Sequence, residues 1–255
     1  MKNLCLAILF CSVFASAQTA DEIVNKSIAA RGGLDKIKSI QTVRLVSKIT
    51  LGASMEGILT VDIKRPGKLR EEVRVGDRSV IRTTDGTSGW ELNQFTGGND
   101  ATALDPEEMK TMEQKADVDR PLVDYKSKGN VIELLGKEKI NDKDAYKLKI
   151  TLKSGAIRYD YIDPTTFHEV AWEGKITTSG REVNAKSYFS DYRDVGGVQF
   201  PFHIESETEG LPGRQVIEFE KIEANVPLDD SLFAKPSAPA PAKPSGQEPE
   251  TPSGS

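Results

Sequence analysis

The chain has 255 residues, with 34 Lys and Arg against 39 Asp and Glu, a formal net charge of -5, and 37% hydrophobic residues. This balance argues against nucleic acid as a partner, which needs a net basic protein surface. Its two cysteines, Cys5 and Cys11, both fall near the N-terminus, so the rest of the chain has no thiol nucleophile, thiolate metal site or disulfide.

Met1-Lys2-Asn3 makes a short positive start, Leu4 to Ala15 an apolar run, and Ala15-Ser16-Ala17 a small-x-small cleavage pattern. Residues 1–17 therefore read as a signal peptide cleaved after Ala17, which directs the protein to the periplasm. The apolar run is shorter than the ~20 residues a spanning helix needs, so no transmembrane segment is expected after cleavage. Phe10 before Cys11 and Leu4 before Cys5 lack the small residue that precedes a lipid-bearing cysteine. Loss of Lys2 moves the net charge from -5 to -6.

The next segment predicts a helix. Thr19 can cap it, Glu22 completes a capping box, and Ile23, Val24, Ser27, Ile28 and Ala30 form its inward stripe until Gly32-Gly33. A short helical turn follows on Leu34, Ile37 and Ile40. From Val43 the period changes to two. Val43, Leu45 and Ile49 alternate with charged residues, as do Leu59, Val61 and Ile63, then Leu69, Val73 and Val75. Lys64, Arg65, Lys68, Arg70, Arg74, Arg78 and Arg82 are interrupted by Glu71, Glu72 and Asp77, and read as a solvated strand face.

Asp105, Pro106, Glu107 and Glu108 open a mid-chain helix whose Met109, Met112 and Ala116 face one way. Beyond it, Tyr146, Leu148, Ile150 and Leu152 alternate with lysines, and Ser154-Gly155 turns the chain into Ile157, Tyr159 and Tyr161. Further turns lie at Asp163-Pro164-Thr165-Thr166, Ser179-Gly180, Gly196-Gly197 and Gly210-Leu211-Pro212-Gly213. About ten or eleven strands result, in one long antiparallel sheet with helices laid across it, a mainly β (α+β) class. The segment 235–255 is Pro-rich and reads as a disordered tail, leaving 18–234 as one folded domain.

Chemistry-bearing constellations are sparse. His168 and His203 have no partner at motif spacing, and His203 falls on the polar side of Val198, Phe200, Phe202 and Ile204. The carboxylates form no recognisable catalytic pair, and no nucleophile elbow, phosphate loop or zincin motif occurs. A non-enzymatic protein without cofactor or metal is the expectation.

Lys64-Arg65-Pro66-Gly67-Lys68-Leu69-Arg70, the strand Glu56 to Ile63 before it, and Thr83 to Asn93 after it resemble the LolA-like periplasmic lipoprotein carrier family. The shared pattern covers about residues 55–95 and is extended by the order of helices and strands. The resemblance implies an incompletely closed antiparallel β-barrel covered by a helical lid, with an apolar cavity that holds lipoprotein acyl chains. It makes Arg65 a latch that hydrogen-bonds toward the lid. Cavity-lining candidates are Leu59, Val61, Ile63, Leu69, Val73, Trp90, Met109, Met112, Leu148, Ile150, Phe200 and Phe202.

Two departures bear on cargo. The C-terminal half is longer, with Asp163 to Thr166 and Asp191 to Val198 similar to a broader group of exported relatives, and the Pro-rich tail is added. The expected function is a monomeric, non-catalytic periplasmic carrier of lipoprotein or lipid acyl chains toward the outer membrane, with inner- and outer-membrane envelope proteins as partners. The alternative is an envelope sensor or adaptor that uses the same half-barrel to bind a protein.

Overall fold

A computed structural model describes residues 18–51, 55–178 and 180–237. The expected signal peptide, and the tail from 238 onward, lie outside the described residues.

Local chemistry starts each helix. Thr19 caps α1 (Ala20–Ala30) in a full capping box with Glu22, and Ile23, Val24 and Ser27 are buried. Gly32 has φ +118°, and a Cβ there would stand 2.1 Å from the Gly197 carbonyl oxygen, so glycine is required where this turn meets the sheet. Helix α2 (Leu34–Ser39) follows and buries Ile37. Asp105 caps α3 (Pro106–Ala116) through the Glu107 and Glu108 amides, Pro106 opens it, and Met112 and Ala116 are buried.

The strands are β1 (Thr42–Leu51), β2 (Met55–Lys64), β3 (Lys68–Val75), β4 (Arg78–Thr84), β5 (Gly89–Asn93), β6 (Thr102–Ala103), β7 (Val131–Ile140), β8 (Lys143–Thr151), β9 (Ile157–Ile162), β10 (Glu169–Thr178), β11 (Arg181–Val195), β12 (Val198–Thr208) and β13 (Gln215–Ala224). They form one sheet in the order β6-β5-β4-β3-β2-β1-β13-β12-β11-β10-β9-β8-β7. Paired neighbours are antiparallel throughout, and β6 and β7 are left as free edges, so the barrel is not closed. The strand count exceeds the expected ten or eleven. Strand β6 has only two residues, both exposed, and β7 is dominated by exposed Glu and Lys with a register shift at Leu134/Gly136. Neither carries the clean alternation that marks a half-buried strand.

Two registers identify the face that carries the helices. Val43 pairs with Ile63, Leu45 with Val61, and Ile63 with Leu69, and Val43 is buried with Ile37 and Ile40 of the α2 region. Further along the same face, Leu148 and Ile150 of β8 are buried with Ile23 and Val24 of α1. Helix α3 reaches across. Lys115 pairs with Glu71 of β3 at 3.0 Å, Arg82 of β4 approaches Glu108 at 4.0 Å, and the Thr177 amide of β10 donates to Thr111 Oγ1 at 3.4 Å.

The outer face has its own cover. After β13 the chain crosses the backs of β1, β2 and β3. Thr42 Oγ1 donates to the Val226 carbonyl at 2.6 Å and Lys64 Nζ to the Leu228 carbonyl at 2.8 Å, while Asp230 pairs with Lys64 at 2.8 Å and Lys68 at 2.9 Å. Phe233 is fully buried in this strap, which runs on to a backbone bridge between Ser237 and Asp100.

Candidate functional site

On the inner face, strand alternation aligns Ile49, Leu59, Val61, Val73, Ile204 and Ile217, and each is half-buried. Side chains nearer the helices are packed away. Leu69, Met112 and Ala116 form one cluster, and Val43, Phe202 and Phe219 join Ile37, Ile40, Val118 and Val123 in another.

Arg65 stands where the β2–β3 turn meets the end of α2. Its Nε donates to the Ile40 carbonyl at 2.7 Å, and its NH2 group donates to the Ile37 carbonyl at 3.3 Å and to Asp119 Oδ1. One guanidinium thus binds the α2 C-terminus and the segment after α3 together, as its fixed fork of donors allows. Asp119 is the partner that sequence reasoning missed. It sits in a loop without periodicity, its side chain is only 6% exposed, and it also accepts from Lys38 Nζ at 2.6 Å. Burial pushes the Asp119 carboxyl upward, but hydrogen bonds from Arg65 and Lys38 outweigh it and hold the group below the usual carboxylate range. Lys38 reaches Asp124 as well, and Arg31 donates to the Val118 and Asp119 carbonyls.

A second ionic group fastens the same loop to the far side of the sheet. Arg120 and Asp124 have left-handed backbones, at φ 61° and 53°, a conformation that costs a non-glycine residue of order 1 kcal/mol or more. Arg120 points at Glu169, donating to Oε2 at 2.6 Å, while Arg158 donates to Asp160 at 2.6 Å and to Glu169 Oε1 at 3.1 Å. Asp160 is 1% exposed and its Oδ2 has no hydrogen-bond partner. Burial pushes its carboxyl up to about 7, against the opposing pull of Arg158. Burial, with the neighbouring Arg120, lowers the Arg31 guanidinium to about 10, and burial raises the Tyr192 hydroxyl.

The structure separates the cavity-lining candidates into three groups. Leu59, Val61, Ile63, Val73 and Phe200 are half-buried on the inner face, and Met109 lies close against Gly89, where a Cβ would stand 2.4 Å from its sulfur. Leu69, Met112, Leu148, Ile150 and Phe202 are buried between sheet and helices, so they pack the helices against the sheet. Trp90 is on the other face. It pairs with Thr83, which pairs with Arg70 on the strap side, and it packs with Ile81, Leu92 and Ala101. Both faces of β4 and β5 are covered, and alternation alone does not say which cover is the lid.

The histidines occupy structural settings. His168 stacks on Tyr192 with ring centroids 4.3 Å apart, and its Nε2 lies 3.3 Å from the Ala30 carbonyl oxygen. His203 is on the outer face, with Nε2 3.1 Å from Glu205 and Nδ1 3.4 Å from Glu218.

No protein-family profile matches the chain, and no curated protein matches it. Solved structures do. A LolA superfamily protein from Nitrosomonas europaea superposes with a TM-score of 0.55 at 18% identity, covering 86% of this chain and 99% of that one. A DUF1329 family protein from Desulfovibrio piger gives 0.56 at 14% identity, covering 85% and 98%. A domain assigned to outer membrane lipoprotein sorting, from Vibrio parahaemolyticus, gives 0.53 at 10% identity, covering 84% and 96%. The chain has a LolA-like fold.

Proposed function

We propose that this protein is a non-catalytic envelope carrier that takes acyl chains of lipids or lipoproteins between its helices and the half-buried apolar side chains of the inner face, with Arg65 as the latch of a helical lid. The observation that carries the reading is the placement of Arg65. It ties α2 and the Asp119 loop together beside half-buried apolar side chains on the inner face. The likeness of the fold to a lipoprotein-sorting domain supports the same reading.

The energetics suit a carrier. A 16-carbon chain gains on the order of 12 kcal/mol when fully buried, at ~0.8 kcal/mol per methylene. A bilayer offers nearly the same, so transfer is close to balanced and small differences in lid closure decide its direction. Polar ties are well suited to that role, because a hydrogen bond to a charged group contributes only about 1.5–3 kcal/mol net. The signal peptide expected at residues 1–17 gives such a carrier its route to the periplasm.

The test is capture and release of a fluorescent fatty acid by the wild-type protein and by Arg65→Leu. The proposal expects capture by both and altered exchange in the variant. Absence of capture by the wild type would remove the carrier reading.

A further inference from the structure

Both ends of the half-barrel are defined by the strand registers, and they differ. One end holds α2, the Arg65 turn and the Gly196-Gly197 turn. At the opposite end lie the β1–β2, β3–β4, β8–β9, β10–β11 and β12–β13 connections and the turn after β5, as the pairs Lys48 with Glu218, Thr151 with Ile157 and Ser206 with Gln215 require.

Eight large apolar side chains are exposed among the described residues, and six of them are at this second end. They are Ile58, Phe95, Val131, Ile157, Leu211 and Val216, each between 38% and 56% exposed. Every one lies in a turn or within the first four residues of a strand leaving this rim. Most soluble surfaces scatter such residues singly, whereas here they mark one edge of the molecule. The same edge carries charges of both signs. Exposed Arg78, Lys153 and Arg181 stand at these turns beside Glu56, Asp77, Asp100, Glu182 and Glu209, while Arg214 is held by Glu205 and Glu207. Arg78, Lys153 and Arg181 have no ion-pair partner among the described residues.

We infer that this rim docks on the surface of an anionic lipid bilayer, with the apolar tips entering the headgroup region and the cations pairing with lipid phosphates. Apolar tips separated by charged turns suit a fluid interface, where each side chain finds hydrocarbon independently. A protein partner would instead need a contiguous apolar centre with a polar rim. The inference deepens the carrier reading and rests on it for its purpose. Ile49, Leu59 and Val73 on the inner face approach the same end, so docking there brings the bilayer next to the apolar inner face.

The test is flotation of the purified full chain with vesicles of roughly three parts phosphatidylethanolamine to one part phosphatidylglycerol. The wild type floats. Phe95→Ser combined with Leu211→Ser lowers the floated fraction by about fivefold or more, while Leu34→Ser combined with Leu135→Ser, at the two exposed apolar sites off the rim, leaves it unchanged. Circular dichroism checks that both pairs fold. A wild type that does not float, or two pairs that lose flotation equally, overturns the proposal. So does a rim pair that loses an envelope protein partner but still floats. Capture of the fluorescent fatty acid in vesicle-free solution is read separately. A protein that floats but captures nothing keeps the docking surface and loses the carrier reading.

Discussion

Arg65 and Asp119, 54 residues apart in sequence, meet at 2.5 Å between NH2 and Oδ1, and Arg65 spans from there to the Ile37 and Ile40 carbonyls. The contact joins the turn between two strands to the loop that follows α3. In the carrier proposal, lifting the helices at this end separates a partly buried charge pair.

If this pair is the latch, Arg65→Leu keeps the fold, at a cost of about 1–3 kcal/mol, because Lys38 still satisfies Asp119. Exchange of a fluorescent fatty acid changes by about tenfold, the factor that ~1.4 kcal/mol of altered lid equilibrium produces. Stopped-flow release kinetics measure it, and rates equal to the wild type would remove Arg65 from the latch role.

A double-mutant cycle isolates the pair itself. Arg65→Leu and Asp119→Asn, measured singly and together by urea unfolding, should show a coupling of about 1–3 kcal/mol. Additive effects would mean that Arg65 acts through the α2 carbonyls alone.

Asp160 predicts a pH dependence. Its carboxyl lies near 7 in the folded state, above the ~3.9 of an unfolded chain, so between those values the folded protein binds the extra proton. Stability from this group is present at the acidic end of the window and is lost as pH rises through about 7. Asp119 titrates below the ordinary carboxylate range and does not interfere. Thermal unfolding at about pH 5.5 and about pH 7.5 should favour the acidic condition more in the wild type than in Asp160→Asn. An equal pH response in both proteins would contradict the assignment.

The outer strap is expected to be part of the fold. Phe233 has no exposed surface, and Phe233→Ala should cost about 3–5 kcal/mol. Urea unfolding gives the value, and a loss below about 1 kcal/mol would show that the strap adds little to stability.

What the sequence disclosed follows from where its signals are local. Caps at Thr19 and Asp105, and the alternation of Tyr146, Leu148 and Ile150 against lysines, depend on neighbours in the chain, and the structure has the elements there. Trp90 and Asp119 depend on distant cover. Alternation separates the two faces of β5 but not the lid side from the side packed by Ile81 and Ala101. Asp119 acquires meaning only when the fold carries Arg65 and Lys38 to it. Strand β7, exposed along most of its length, is hidden for a third reason: only Ile132 and Ile140 are buried, and the register shift at Leu134/Gly136 between them breaks the alternation.

The carrier reading is tested most directly by native mass spectrometry of the protein purified from an envelope fraction, before and after addition of a fluorescent fatty acid. The account predicts a bound acyl-bearing mass that the fatty acid displaces. An empty protein that takes up no fatty acid would contradict it.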